Sequence, residues 1–415
     1  MQNLNTNLNT QFWSKFIKTN WEKKPAHIRN INLPLFEIDK NIIFQWLVDY
    51  CNYCRKTKTN QGLKFFIDGE SQYQNEVLQA LPLKSDKNLL GYHQRISQIF
   101  PDYCLVCDEL IQVSGPHWKT LGEFVKGLYQ HVGIPNRPAE IGLYLGNYKK
   151  TPFGVHVDGC GVFSIPVVGT KKFRLWKSSY VDKNPDLKMA FDYKKYLKNS
   201  TLITAKTGDM TYWPSSAWHI AESDGSFSAT WSLGLWVDQP LSEILLQNIE
   251  PLLLKKTNLD NNKKFISFSR NQSVNGQIKK LPSTLSKSLE KLKSISTAEL
   301  NDSFMKYWLQ VQSKNGFKSK LQTNLKLKLK PTDLVRGDEK NPIYWTVLKS
   351  GQLCIASHGE LTLLPRSKNN LIFLKLLNSG KTFQVSLLIN NHPQKKDIFK
   401  FLQRLYQLHQ ITKTA

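Results

Sequence analysis

Apolar and polar positions alternate through the middle of the chain. Between residues 140 and 237 the runs Ile141–Leu145, Gly161–Val168, Lys171–Trp176, Ser200–Ala205, Asp209–Trp213 and Ser226–Val237 read as strands. Many short strands at even spacing predict a closed or sandwiched β-architecture. Helical spacing appears on both sides. Phe12, Trp13, Phe16, Ile17 and Trp21 share one face, and Pro25 ends that stretch. Residues 40–57 and 118–131 are helical, the latter with Leu121, Phe124, Val125 and Leu128 on one side. From 60 to 112 strand-like runs are expected, at 63–67 and 103–113, joined by loops. The polar stretch 255–282 reads as a linker, and 283–313 as helix. Strands at 344–348, 352–355 and 359–364, with helices at 372–377 and 396–405, predict a small C-terminal domain. The boundaries drawn are 1–240, 241–320 and 321–415.

The two-residue period separates neighbouring side chains by face. Lys171 shares a face with Phe173 and Leu175; Lys172 shares the other with Arg174. Lys171 is thus predicted to point inward, and a buried lysine calls for an anionic partner. On Ser226–Val237, Phe227, Ala229, Trp231, Leu233 and Leu235 alternate with Ser228, Thr230, Ser232 and Gly234, a small polar face suited to a cavity wall or to solvent. His156 and Asp158 stand two apart in a strand-like stretch and can project to one side together. His219, after Trp213-Pro214 and Trp218, can supply a second imidazole. Two histidines and a carboxylate on one face of a metal, with open positions opposite, suit non-haem Fe(II). His27, His93, His117, His131, His358, His392 and His409 lack partners at ligand spacing and are read as structural or surface residues.

Composition narrows the picture. Fifty-seven Lys and Arg face 32 Asp and Glu, a net charge of +25, which favours polyanionic partners such as a ribosome or an acidic peptide, or simply a soluble basic surface. No run is apolar enough to cross a membrane. The start of the chain lacks a basic region followed by an apolar run, so a cytoplasmic location is expected. Four of the six cysteines form the pairs Cys51/Cys54 and Cys104/Cys107. The first pair falls on a predicted helix and the second on a strand, with 49 residues between the pairs, so ordinary buried thiols are expected rather than zinc.

The runs Leu143–Asp158, Gly169–Trp176 and Gly208–His219 together resemble JmjC-type 2-oxoglutarate oxygenases, closest to the ribosomal oxygenases of the cupin group. Phe12-Trp13 and Trp21-Glu-Lys-Lys-Pro25 resemble that group's opening. The resemblance implies a mainly β fold: a double-stranded β-helix (jelly-roll) barrel, a helical connection and a winged-helix-like C-terminal domain. It implies Fe(II) on His156, Asp158 and His219, and 2-oxoglutarate as co-substrate with its distal carboxylate on Lys171. Tyr144 would face the co-substrate. The reaction implied consumes O2 and hydroxylates a C–H bond of a protein or peptide, and a homodimer is implied, in keeping with the helices at 283–313. The chain departs from the pattern at Asn147–Lys150, where the family is glycine-rich, and at Gly142.

Three alternatives stay open at this level. The C-terminal domain also resembles leader-binding winged helices of peptide natural-product pathways, making the chain a tailoring hydroxylase. The +25 charge fits a non-catalytic module docking on ribosome or nucleic acid. A cupin using another metal or chemistry, such as an isomerase, is the third.

Overall fold

The computed structural model describes residues 6–32, 40–58, 62–72, 74–108, 110–113, 115–149, 153–237, 240–256, 273–274, 277–278, 281–318, 326–390 and 392–414. Most of the expected linker 255–282 lies outside these residues. The chain divides into two compact units. One comprises Met1–Asp238 with Lys314–Leu327 and Gln407–His409; the other comprises Gln239–Ser313, Lys328–Tyr406 and Gln410–Ala415.

In the first unit the elements run α1 (Thr10–Thr19), β1 (Ala26–Ile28), α2 (Lys40–Thr57), β2 (Leu63–Ile67), α3 (Leu89–Ser97), β3 (Tyr103–Asp108), α4 (Gly115–Val132), β4 (Glu140–Gly146), β5 (Cys160–Val168), β6 (Thr170–Trp176), β7 (Thr201–Lys206), β8 (Met210–Trp213), β9 (Trp218–Glu222) and β10 (Ser228–Trp236). A large sheet has the order β1-β8-β5-β10-β4-β3-β2, with Glu70–Ser71 at its edge, and a small sheet has the order β7-β6-β9. The named pairings within both sheets are antiparallel.

Side-chain parity explains why the large sheet is covered on one face and hollow on the other. On β10, Ala229, Trp231, Leu233 and Leu235 enter the main core with Phe163, Ile165 and Val167 of β5. Helix α1 lays Trp13 and Phe16 on that core, with Trp13 edge-on to Phe163 and to Phe124 of α4. Asn9 starts this helix by accepting the Phe12 N–H at 2.9 Å. Each fully buried aromatic of this kind contributes about 2–3 kcal/mol. The opposite face carries Thr211, Ser164 and Ser232, in register across β8, β5 and β10. A bulge between Ala229 and Thr230 interrupts the β5–β10 ladder there. Gly169, at φ +73°, turns the chain from β5 in one sheet into β6 in the other, and a Cβ on it would stand 2.5 Å from the Phe227 carbonyl oxygen.

The expected run of strands and loops over 60–112 is corrected by two helices, Gln74–Ala80 and α3. Leu89, Tyr92 and Ile96 of α3 are buried at helical spacing, and Asn88 caps the helix on the Gly91 N–H at 2.8 Å.

The second unit contains α5 (Leu241–Lys256), α6 (Ser283–Lys293), α7 (Thr297–Ser313), β11 (Leu334–Gly337), β12 (Tyr344–Val347), β13 (Gln352–Ser357), β14 (Glu360–Pro365), α8 (Lys368–Leu377), β15 (Thr382–Gln384), α9 (Val385–Asn390), α10 (Lys395–Gln407) and β16 (Ile411–Lys413). Its strands form two three-stranded sheets, β15-β11-β16 and β12-β13-β14. The expected helix 283–313 is two helices, broken at Ser294–Ser296. The three expected strands of the C-terminal region are joined by three short ones, β11, β15 and β16, whose three or four residues carry little periodicity. The boundary at 320 is drawn differently by packing: Leu309 and Met305 of α7 cluster with Leu348, Cys354 and Ala356. Asp302 of the same helix caps the β12–β13 turn, accepting from the Lys349 N–H at 2.6 Å and the Ser350 N–H at 3.1 Å.

Candidate metal and co-substrate site

His156, Asp158 and His219 meet at the open side of the polar face. One ligand atom from each lies within 4.8 Å of the other two. The His219 Nε2 is 3.5 Å and the His156 Nε2 4.0 Å from the Asp158 carboxylate oxygens. Among the described residues this is the one group of three or more His, Cys, Asp or Glu able to hold a metal ion.

His156 and Asp158 do not stand on a strand, contrary to expectation. They lie in extended chain between β4 and β5, where successive residues bond different segments. Val155 exchanges backbone hydrogen bonds with Met189 and Ala190, and His156 with His219 at 3.0 and 2.7 Å. No continuous ladder can form from such a pattern. The bridge between the histidines nevertheless places their rings with centroids 4.3 Å apart.

The imidazoles are held in one tautomer. The Nδ1 of His156 meets the Gly154 carbonyl at 2.9 Å, and the Nδ1 of His219 meets the Ala217 carbonyl at 3.0 Å. A carbonyl only accepts, so each Nδ1 carries the proton and each Nε2 presents a lone pair to the centre. Burial, followed by the nearby His156, lowers the His219 pKa to about 3, so it stands neutral as a ligand must. Burial raises the Asp158 pKa, against the opposing influence of His156.

Behind the triad, a cavity of about 490 Å³ including its mouth separates the two sheets. Val162, Ser164, Trp213, Thr230 and Ser232 line it from the large sheet; Lys171, Phe173, His219 and Ala221 line it from the small one. Strand parity placed Lys171 here, and only 2% of it is exposed. Its Nζ donates to the Tyr148 hydroxyl and lies 3.8 Å from the centre of that ring. No described carboxylate is within ion-pair distance of it, and burial holds its pKa at about 7, against 10.5 in water. Ser164 Oγ, Thr230 Oγ1 and Trp213 Nε1 are buried on the same cavity with no hydrogen-bond partner. Orphaned buried polar groups are uncommon in folded proteins. Two hydroxyls, an indole N–H and an unpaired ammonium match a small carboxylate-bearing molecule.

Tyr144 lines this cavity and a second one beside it, bounded by Asp108, Glu140, Gly142, Asp158, Cys160, Ser232 and Trp236. The second cavity is acidic. Its Asp108 and Glu140 pair with Lys64 at 2.8 Å and Lys318 at 3.0 Å, both lysines being exposed. Gly142 makes the room: a Cβ there would stand 2.9 Å from the Asp108 carboxylate.

Sequence reasoning missed Tyr148. Asn147–Lys150 stood out only as a departure from the family's glycine-rich pattern, but the Asn147 side chain bonds the Pro101 carbonyl at 2.7 Å and the Tyr103 N–H at 3.2 Å, turning Tyr148 inward. One aromatic in a polar loop was the available signal. Lys150 lies outside the described residues. The six cysteines are free and buried, and no cysteine joins a metal-capable group among the described residues. Of the other histidines, His27 pairs with Asp209 at 3.1 Å and His93 stacks on Phe227. The side chain of His117 lies outside the described residues.

Residues 133–241 match the family model of the JmjC domain. No curated protein matches by sequence. Among solved structures, the X-ray structure of E. coli ycfD aligns with TM-score 0.52 at 11% identity, covering 97% of this chain and 98% of that one. A structure of YcfD, described as a ribosomal oxygenase from E. coli in complex with cobalt and 2-oxoglutarate, aligns with TM-score 0.51 at 14% identity and the same coverage. At such identities the likeness is one of fold. Residues 133–241 thus match the JmjC domain, within a chain whose fold is similar to that of E. coli YcfD over nearly its whole length.

Proposed function

We propose that the chain is an Fe(II)- and 2-oxoglutarate-dependent oxygenase that hydroxylates a C–H bond on a side chain of a protein or peptide. The observation that carries this reading is the pairing of a two-histidine, one-carboxylate group with an unpaired buried lysine in one cavity. His156, Asp158 and His219 would hold the metal on one face, leaving the other for co-substrate and O2. Lys171 would receive the distal carboxylate of 2-oxoglutarate, with Ser164, Thr230 and Trp213 as the neighbouring donors. When bound, iron and 2-oxoglutarate supply the oxidation: 2-oxoglutarate, O2 and R–H give succinate, CO2 and R–OH. The chain's own work is to fix both imidazoles through Gly154 and Ala217, and to keep water out with Phe173, Val162 and Trp213.

The acidic second cavity, sharing Asp158 and Tyr144 with the first, supports a cationic substrate side chain. A bound guanidinium would replace the lysine contacts of Asp108 and Glu140. Those surface pairs contribute at most about 1 kcal/mol each, so the exchange is cheap. Exposed Leu285, Leu289 and Leu292 on α6 are consistent with a homodimer, which sedimentation would test. Among the described residues no helix is long and apolar enough to cross a membrane. The comparisons do not favour the leader-binding or non-catalytic alternatives.

The test is turnover. Purified protein with Fe(II), 2-oxoglutarate, O2 and lysine- or arginine-containing peptides should release succinate and add one oxygen to a peptide. His156→Ala should abolish both. If no such peptide elicits succinate and His156→Ala binds metal as the wild type does, the proposal is wrong.

A further inference from the structure

Glu22 lies outside the JmjC segment and 134 residues before His156 in sequence. It does not line the cavity. Its backbone sits at φ +50°, a left-handed conformation that a residue with a Cβ adopts only when its surroundings hold it there. The surroundings here are specific. The Glu22 N–H donates to the Tyr212 hydroxyl at 2.8 Å, and that hydroxyl donates back to the Glu22 carboxylate at 2.9 Å. The Ser215 N–H donates to the same carboxylate at 3.1 Å, and the Ser215 hydroxyl donates to it as well. Both carboxylate oxygens are therefore committed, each to donors from β8 or the turn after it.

That turn leads to the metal group. Ser215 lies in Pro214–Ala217, closed by the Ala217 N–H on the Pro214 carbonyl at 3.0 Å. The Ala217 carbonyl is the acceptor that fixes the His219 tautomer. Next to Tyr212, Trp213 sets its ring 4.9 Å from the His219 ring. On the other side, the carboxylate packs on Gly161, where any Cβ would stand 2.6 Å from the Glu22 Oε1. Gly161 is three residues after Asp158, at the start of β5. One carboxylate thus touches the segment that follows one candidate ligand and the turn that precedes another.

We propose that Glu22 is a positioning residue for the metal site, tying the start of β5 to the Pro214–Ala217 turn and so fixing how Asp158 and His219 face each other. This inference rests on the reading of His156, Asp158 and His219 as metal ligands. A glutamine at 22 keeps the shape but offers one acceptor where two are used, and turns an NH2 toward a donor. A partner bonded directly to a metal ligand is commonly worth about 10–100-fold in metal affinity; Glu22 acts one step further out, through Tyr212 and the Ser215 turn, so its share falls at or below the lower end of that range.

The experiment uses the full chain and Co(II) alone, followed by its visible absorption. Wild type, Glu22→Gln, Ser215→Ala and Asp86→Asn are titrated, and each metal-free protein is melted. Asp86→Asn breaks the Arg95 pair and its bond to Leu83, none of which lines the cavity, and so controls for loss of stability. Glu22→Gln is expected to bind Co(II) up to about 10-fold more weakly, with an altered band shape. Ser215→Ala, which keeps the backbone donor, should show a smaller loss in the same direction, and it carries the test if Glu22→Gln does not fold. Asp86→Asn should melt lower and bind Co(II) as the wild type does. Wild-type affinity and spectrum in Glu22→Gln, or in Ser215→Ala should it stand alone, would overturn the inference. So would an equal loss in Asp86→Asn. A wild type that binds no Co(II) at the triad would instead sink the metal reading itself, and this inference with it.

Discussion

Lys171 provides the sharpest consequence of the cavity. It is 2% exposed, bonded to the neutral Tyr148 hydroxyl, and burial holds its pKa at about 7 against 10.5 for a free lysine. Placing a carboxylate beside it restores the preference for the charged form. Binding of 2-oxoglutarate above pH 7 must therefore take up a proton. With the free lysine half protonated near pH 7 and fully protonated in the complex, affinity should fall about 50-fold between pH 7 and pH 9. The sign for folding follows from the same depression. Between about 7 and 10.5 the unfolded chain holds a proton that the ligand-free fold does not, so this lysine's contribution to stability rises with pH, by up to about 1.4 kcal/mol per pH unit. Lys171→Met removes both effects. It should weaken 2-oxoglutarate binding by about 3–5 kcal/mol, the usual cost of breaking a buried ion pair, and leave the ligand-free protein at least as stable at pH 7. Calorimetry of the Co(II)-loaded protein in two buffers of different ionisation enthalpy counts the protons directly. A 2-oxoglutarate affinity that is flat from pH 7 to pH 9 with no proton uptake would refute the reasoning.

Other consequences are quicker to check. Asp108→Asn and Glu140→Gln should raise KM for cationic peptides roughly 10-fold each while leaving 2-oxoglutarate affinity unchanged, as expected when a hydrogen bond to a charged group is lost; equal KM values for all three proteins would remove the acidic cavity from the account. The six cysteines are buried, with burial raising the Cys104 pKa to about 12, so a thiol reagent should label none of them in the native protein and all six after denaturation. Rapid native labelling would contradict their placement. Gly146 has φ +153°, and a Cβ there would lie 2.1 Å from the Tyr103 carbonyl oxygen. Gly146→Ala should therefore lower stability in urea by about 1–3 kcal/mol through forced backbone shifts. An unchanged midpoint would show that β3 and β4 are less tightly registered than described.

Much of the first unit is legible in the sequence because side chains alternate between the two faces of its strands. Lys171 against Lys172, and Trp231 against Thr230, fall on the faces that alternation assigns them. The position of His156 and Asp158 is legible as proximity but not as local structure. The backbones of Val155 and His156 bond to Met189, Ala190 and His219, partners 34 to 63 residues away, and no local pattern records such bonds. Tyr148 is hidden for a related reason: the Asn147 amide turns it inward through Pro101 and Tyr103. Helix α3 escapes notice because only Leu89, Tyr92 and Ile96 of its nine residues are buried. In the second unit β11, β15 and β16 are too short for a period to show. The role of Glu22 is written in no spacing at all, since its partners lie 190 and 193 residues on.

The central claim is that His156, Asp158 and His219 hold iron in the cavity where Lys171 receives 2-oxoglutarate. Anaerobic absorption spectroscopy addresses it most directly. Adding 2-oxoglutarate to Fe(II)-loaded wild-type protein should produce a visible charge-transfer band that is absent in His219→Ala and requires far more 2-oxoglutarate in Lys171→Met. A wild type without such a band at saturating Fe(II) and 2-oxoglutarate, or a band that survives unchanged in His219→Ala, would contradict the account.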